Sequence, residues 1–241
     1  MSLKKFALVA VVLLAAVISF TIIAPWAADP VNHTSTIEKT ENKISAVMTL
    51  SGGAAGASAT LSVLPGDLCT PLATELAELA KYFLIILSAL YLEKFLITIS
   101  GYITFSVLIP LALIIVAAVI ISGNKRFLSL AGKLAIIGVI IYLIVPASTM
   151  LSDKIYQTQE DTVAQTIEEY NNLDISGDSD SGIIGEITTI TTNTIDKVTN
   201  FISDLTESLA VMIVTACIVP VLVFVLLVWI MKVMFYTGGN L

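Results

Sequence analysis

Histidine occurs once in these 241 residues, cysteine twice, and only 13% of the chain is charged. Each scarcity excludes something. With His33 as the one histidine, the sequence leaves little room for zinc chemistry or a histidine-based triad. His33 with Asp29 and Glu38 has no metal-ligand spacing and reads as a solvated side chain. Cys69 and Cys217 cannot form a disulfide framework; the second lies inside an apolar segment, and neither has a His or Cys neighbour. Soluble domains carry roughly 25% charged residues. A hydrophobic content of 56% and a mean hydropathy of +0.94 place this chain among integral membrane proteins. The formal net charge of -7 argues against nucleic acid as a partner.

What is present is a set of long apolar runs. The stretch from Asp67 to Arg126 organises the rest. Thr70 and Pro71 make a good helix start, a capping hydroxyl followed by a residue whose missing amide is harmless in the first turn. Leu72, Leu76, Leu79, Phe83, Ile86 and Leu90 then step by fours and threes, the spacing of a packed helical seam, and the next seam position is Glu93, beside Lys94. Residues 67–101 read as an exterior amphipathic helix, and 102–122 as a span of about 20 residues, enough to cross a bilayer.

Before that stretch, residues 1–27 read as a cytoplasmic N-terminus and signal-anchor span. The apolar core from Phe6 to Ala27 is longer than that of a secretory signal, and Pro25-Trp26 stands where a cleavage site needs small residues. Residues 28–66 read as an exterior segment. Its first part, Asp29 to Lys43, is polar and without clear period, an irregular linker. Its second part, Ile44 to Leu64, holds two Thr/Val/Leu-containing runs around Ser51-Gly52-Gly53-Ala54-Ala55-Gly56, which suggests a small β-hairpin. The sequon Asn32-His33-Thr34 lies too close to the first span to be read as more than chance.

After the organising helix, 123–127 is a cytoplasmic turn and 128–150 a third span. Residues 151–206 read as an acidic exterior helical hairpin, broken at 174–182, and 207–231 as a fourth span ahead of a cytoplasmic tail, 232–241. Ile195, Val198, Ile202, Leu205, Leu209 and Met212 run on a seven-residue period straight into that span. Alternating oxygens at Asp174, Ser176, Asp178 and Asp180 resemble a calcium loop, but the glycine and terminal glutamate of such a loop are misplaced, so a plain turn is the reading.

The expected fold is therefore an all-α membrane protein with four transmembrane helices, long helices extending outside the membrane, and a small β-hairpin in the first exterior segment. Four spans put Lys4, Lys5, Lys125, Arg126, Lys133 and Lys232 on the cytoplasmic side, with both termini, in a cell (inner or plasma) membrane. Counting Tyr82–Ile99 as a fifth span would send Lys125 and Arg126 outside and leave Glu93 and Lys94 in or beside hydrocarbon.

No catalytic set, metal site or cofactor site emerges, so the chain reads as non-catalytic and cofactor-free. The leading expectation is an assembly protein whose helical exterior binds a further copy of the chain, another membrane protein or an exterior protein. Glu93, Lys94, Ile195, Val198 and Ile202 are the assembly or vestibule candidates. The alternative is an oligomeric, cation-leaning pore with an acidic mouth, lined by Thr104, Ser106 and Thr215. Pro110, Pro146 and Pro220 are expected helix kinks.

Overall fold

The computed structural model describes residues 3–63, 69–124, 126–172 and 192–237. Among these residues there is no strand, and nearly every one is helical. Six helices follow in chain order: α1 Leu3–Ala28, α2 Thr34–Ser62, α3 Cys69–Ser122, α4 Arg126–Gln157, α5 Glu160–Asn172 and α6, residues 192–237. A short 3-10 turn, Pro30–His33, joins α1 to α2. Its start is fixed by the Asp29 carboxylate, which accepts from the Val31 amide at 3.0 Å.

The β-hairpin expected over Ile44 to Leu64 is not formed, and the polar stretch before it is no irregular linker from Thr34 onward. Both belong to α2. Glycine in a helix interior costs about 1 kcal/mol against alanine. Here that cost is offset by packing, because small residues let a neighbouring helix approach. Ser51 Oγ donates to the Ala80 carbonyl and Ser58 Oγ to that of Ala73, 3.2 and 2.6 Å, so α2 lies antiparallel to α3. The buried positions Ile44, Val47, Leu50, Ala54, Ala57 and Leu61 recur every three to four residues, a helical period carried largely by small side chains.

The chain divides into two compact units. One consists of 39–91 and 151–219 and is a bundle of α2, the first part of α3, the end of α4, α5 and the first part of α6. Its core holds Val47, Leu50, Leu76, Phe83, Ile86, Leu90, Val163, Phe201, Leu205 and Met212. The seam read along α3 is thus buried within the chain. The other unit, 1–38, 92–150 and 220–241, is turned inside out by comparison. Its buried residues are mostly small, among them Ala16, Ala24, Ala27, Ala112, Ala117 and Ala131, while Phe6, Leu14, Phe20, Trp26, Leu111, Leu222 and Trp229 face outward. Small residues inside and large apolar ones outside is the pattern expected where lipid, not water, surrounds the helices.

Among the described residues, five helical stretches are long and apolar enough to cross a membrane: Leu3–Ala28, Pro30–Ser62, Cys69–Ser122, Phe127–Gln157 and Ile195–Val233. Pro30–Ser62 differs from the others, with a best-window hydropathy of 1.2 against 2.4 to 3.1.

Three prolines shape the helices through one device. The π turns Ser19–Ile23, Thr104–Leu108 and Val214–Ile218 each end two residues before a proline, Pro25, Pro110 and Pro220. Proline lacks an amide and its ring crowds the preceding turn, which a wider π turn relieves. The Ile109 amide reaches back to the Thr104 carbonyl, and Val219 to Val214. In that register the next amide would serve Phe105 or Thr215, and proline has none to offer. Pro146 is different: it lies inside α4 without a π turn.

Candidate functional site

The densest polar arrangement of the bundle unit joins α2, α4 and α6. Lys39 and Lys43 stand one turn apart on α2 and point the same way. Lys39 pairs with Asp153 at 2.8 Å, and the same carboxylate accepts from Gln157 Nε2 at 3.0 Å. Lys43, only 1% exposed, donates from Nζ to Ser152 Oγ at 2.8 Å and lies 5.6 Å from the centre of the Tyr156 ring.

A serine beside a lysine is also the composition of a hydrolytic dyad, and the geometry argues against that chemistry here. Ser152 is fully buried, and its hydroxyl proton is committed to the Thr215 carbonyl at 2.5 Å. A nucleophile must release that proton toward a base and meet a substrate. Ser152 instead supplies the donor that Pro220 lacks. Ser19 does the same in the other unit, donating to the Phe105 carbonyl at 2.8 Å below Pro110. Hydroxyls resatisfying backbone freed by proline are what low-polarity surroundings require.

Glu93, in the apolar unit, is buried and accepts from Thr149 Oγ1 at 2.8 Å, tying α3 to α4. Lys94, next to it, is half-buried. Among the pore-lining candidates, Thr104 is fully buried and donates to the Gly138 carbonyl at 3.0 Å, and Ser106 bonds back to Tyr102 on its own helix. Thr215 is fully buried and bonds back to Val211. Of the seam candidates on α6, Val198 and Ile202 belong to the bundle core and Ile195 is half-buried. That seam is therefore covered by the chain itself.

Sequence reasoning missed a carboxylate pair. Glu169 on α5 meets Asp204 on α6, and a shared hydrogen bond raises the Glu169 carboxyl from 4.5 to about 7, with burial and the Asp204 charge adding. Beside it Thr166 Oγ1 contacts Ser208 Oγ at 2.8 Å. Only the α5–α6 pairing, which lies outside local sequence pattern, brings these residues together. A groove of about 570 Å³ on the bundle is lined by Leu72 and Glu75 from α3 and by Thr199, Ile202, Ser203, Thr206, Glu207 and Ala210 from α6.

His33 Nε2 donates to the Ala27 carbonyl at 2.9 Å, and no group of three or more His, Cys, Asp or Glu able to hold a metal occurs among the described residues. The calcium-like stretch 174–180 lies outside the described residues. No protein-family model, curated protein or solved structure matches the chain.

Proposed function

We propose that this is a non-catalytic multi-pass membrane protein whose helical bundle lies outside the bilayer and mediates self-assembly or partner binding. The observation that carries the reading is the length of α3. Its 54 residues rise about 80 Å at roughly 1.5 Å each, whereas the hydrocarbon core is about 30 Å thick. This helix, with its π turn at Thr104–Leu108, contributes residues to both the apolar unit and the bundle, as α6 also does.

Four spans fit better than five. Pro30–Ser62 contains Glu38, Lys39, Glu41 and Lys43, and its hydropathy is the lowest of the candidates. Lys4, Lys5, Lys125, Arg126, Lys133 and Lys232 then share the cytoplasmic side with both termini. The pore reading loses support, because Thr104 and Thr215 bond within the chain and are not open to a channel.

Native mass in nanodiscs tests the reading. A defined small oligomer, or a complex with a second protein retained through purification, is expected. A strictly monomeric protein with ion conductance in planar bilayers would overturn it.

A further inference from the structure

We infer that the end of the apolar unit carrying Lys133 and Lys232 binds the headgroup of a phospholipid with net negative charge, its phosphate held between those two ammonium groups. The inference goes beyond the assembly reading and uses its membrane-spanning part alone.

Packing within the apolar unit gathers one sign of charge at one end. Ser19 Oγ donates to the Phe105 carbonyl, and a Cβ at Gly101 would strike Ala27, so α1 runs antiparallel to α3 and starts near Ser122. Thr104 bonds to Gly138 and Glu93 to Thr149, which makes α4 antiparallel to α3. Lys133 Nζ stands 5.5 Å from the centre of the Phe235 ring, so the end of α6 returns to the start of α4. Lys4, Lys5, Lys133 and Lys232 are thereby collected at a single end, and all four are exposed. The acids of this unit lie elsewhere. Asp29 and Glu38 follow the far end of α1, and Glu93 meets Thr149 on the far half of α4.

Helices α4 and α6 shape the site. Lys232 precedes Phe235 by one turn on the same side of α6, so both ammonium groups border one ring. Among the described residues neither lysine has a carboxylate partner, and the sequence holds no Asp or Glu over 94–150 or 220–241. Two like charges on one face repel, and an anion between them removes that repulsion. Ser129, exposed one turn before Lys133, adds a hydroxyl donor. A Cβ at Gly132 would meet nothing within 4 Å, so the surface beside Lys133 is open.

The surroundings select a lipid over a free anion. Trp229 and Tyr236, 62 and 87% exposed, stand one turn to either side of Lys232, and exposed tryptophan and tyrosine settle at headgroup depth. Leu128 and Leu130 are exposed beside Ser129. Free phosphate would answer the charges alone, whereas a phospholipid answers the charges with its headgroup and the apolar surface with its chains.

The two tryptophans supply the test, since Trp26 marks the far end of α1 and Trp229 the site. Full-length Trp26→Phe protein is placed in vesicles mixing phosphatidylglycerol with phosphatidylcholine, with one lipid or the other brominated, and quenching of Trp229 gives their relative binding. Each basic residue near an anionic surface is worth about five-fold in binding, so a preference for phosphatidylglycerol of at least about five-fold is expected. Lys133→Gln with Lys232→Gln should bring the ratio close to one, and the corresponding arginine pair should keep it. Both lysines are exposed, so helical content and melting temperature should match the parent. Trp229→Phe protein, read through Trp26, should show a ratio near one. Equal quenching of Trp229 by the two lipids, or a preference that survives the double glutamine variant, overturns the site. Loss of the preference on adding inorganic phosphate at constant ionic strength overturns the lipid as its occupant. Absence of quenching by either lipid overturns the membrane reading together with this inference, while native mass of the same samples reports separately on assembly.

Discussion

Ser152 donates its hydroxyl proton to the carbonyl oxygen of Thr215, the group that Pro220 leaves without an amide partner in the π register of α6. The same serine accepts from the buried ammonium of Lys43. One side chain therefore satisfies a backbone defect and a buried cation at once.

Removing that hydroxyl should be expensive. An unsatisfied buried polar group costs about 1–3 kcal/mol, and more when it is charged. Ser152→Ala is expected to lower bundle stability by about 3 kcal/mol, read from unfolding in detergent with graded SDS. Pro220→Ala restores an amide at the right place, so the double variant should recover part of the loss. Strictly additive losses would show that the proline and the serine are not linked in this way.

Three glycines make a graded series. A Cβ at Gly101 would strike the backbone carbonyl of Ala27, a Cβ at Gly53 would meet the Tyr170 ring at 3.0 Å, and one at Gly52 would meet nothing within 4 Å. Overpacking costs about 1–3 kcal/mol. Gly101→Ala is expected at the top of that range, since the helix backbones themselves must separate. Gly53→Ala should fall lower, because Tyr170 can shift against Phe201, its stacking partner at 6.2 Å. Gly52→Ala should stabilise by about 0.5–1 kcal/mol through helix propensity alone. Melting temperatures of the three variants give the order directly.

The Glu169–Asp204 pair predicts a pH dependence of definite sign. The folded Glu169 keeps its proton up to about pH 7, whereas the unfolded chain releases it near 4.5. Between those values the folded state binds more protons, so this contribution to stability is fully present below 4.5 and is lost as pH rises through about 7. Carbon-detected NMR of the Glu169 carboxyl should show a midpoint near 7. In Asp204→Asn the midpoint should fall toward the ordinary carboxylate range, and the stability change between pH 5 and 8 should shrink.

Val198 and Ile202 pack in the bundle core, so their replacement reports on folding before it reports on association. Ile202→Ala is expected to cost about 2–4 kcal/mol. Ile195→Ala, at a half-buried position, should cost less. Hydrogen exchange along α6 would distinguish loosening of the bundle from loss of an intermolecular contact.

Much of the helical plan was legible because apolar period is a local property. The α3 seam from Leu72 to Leu90 and the apolar run of α6 appear in the structure as helices at the positions expected. The segment from Ile44 to Leu64 was misread for a physical reason. Serine, glycine and alanine look like turn residues in isolation, and they act as helix-packing residues only when another helix lies against them, as α3 does at Ala73 and Ala80. Pro110 and Pro220 were visible as interruptions, but which hydroxyl would answer each freed carbonyl was not. Ser19 is 86 residues from Phe105 and Ser152 is 63 from Thr215.

The amino-acid order by itself determined the strongly apolar helices and the concentration of acid in α5 and α6, though not α2, since each of those depends on neighbours within a few turns. Tertiary structure alone decided which seam faces inward, that Lys43 is buried against Ser152, and that Glu169 shares a proton with Asp204. Those outcomes depend on pairings between segments far apart in the chain, and side-chain periodicity specifies a face without specifying what will cover it.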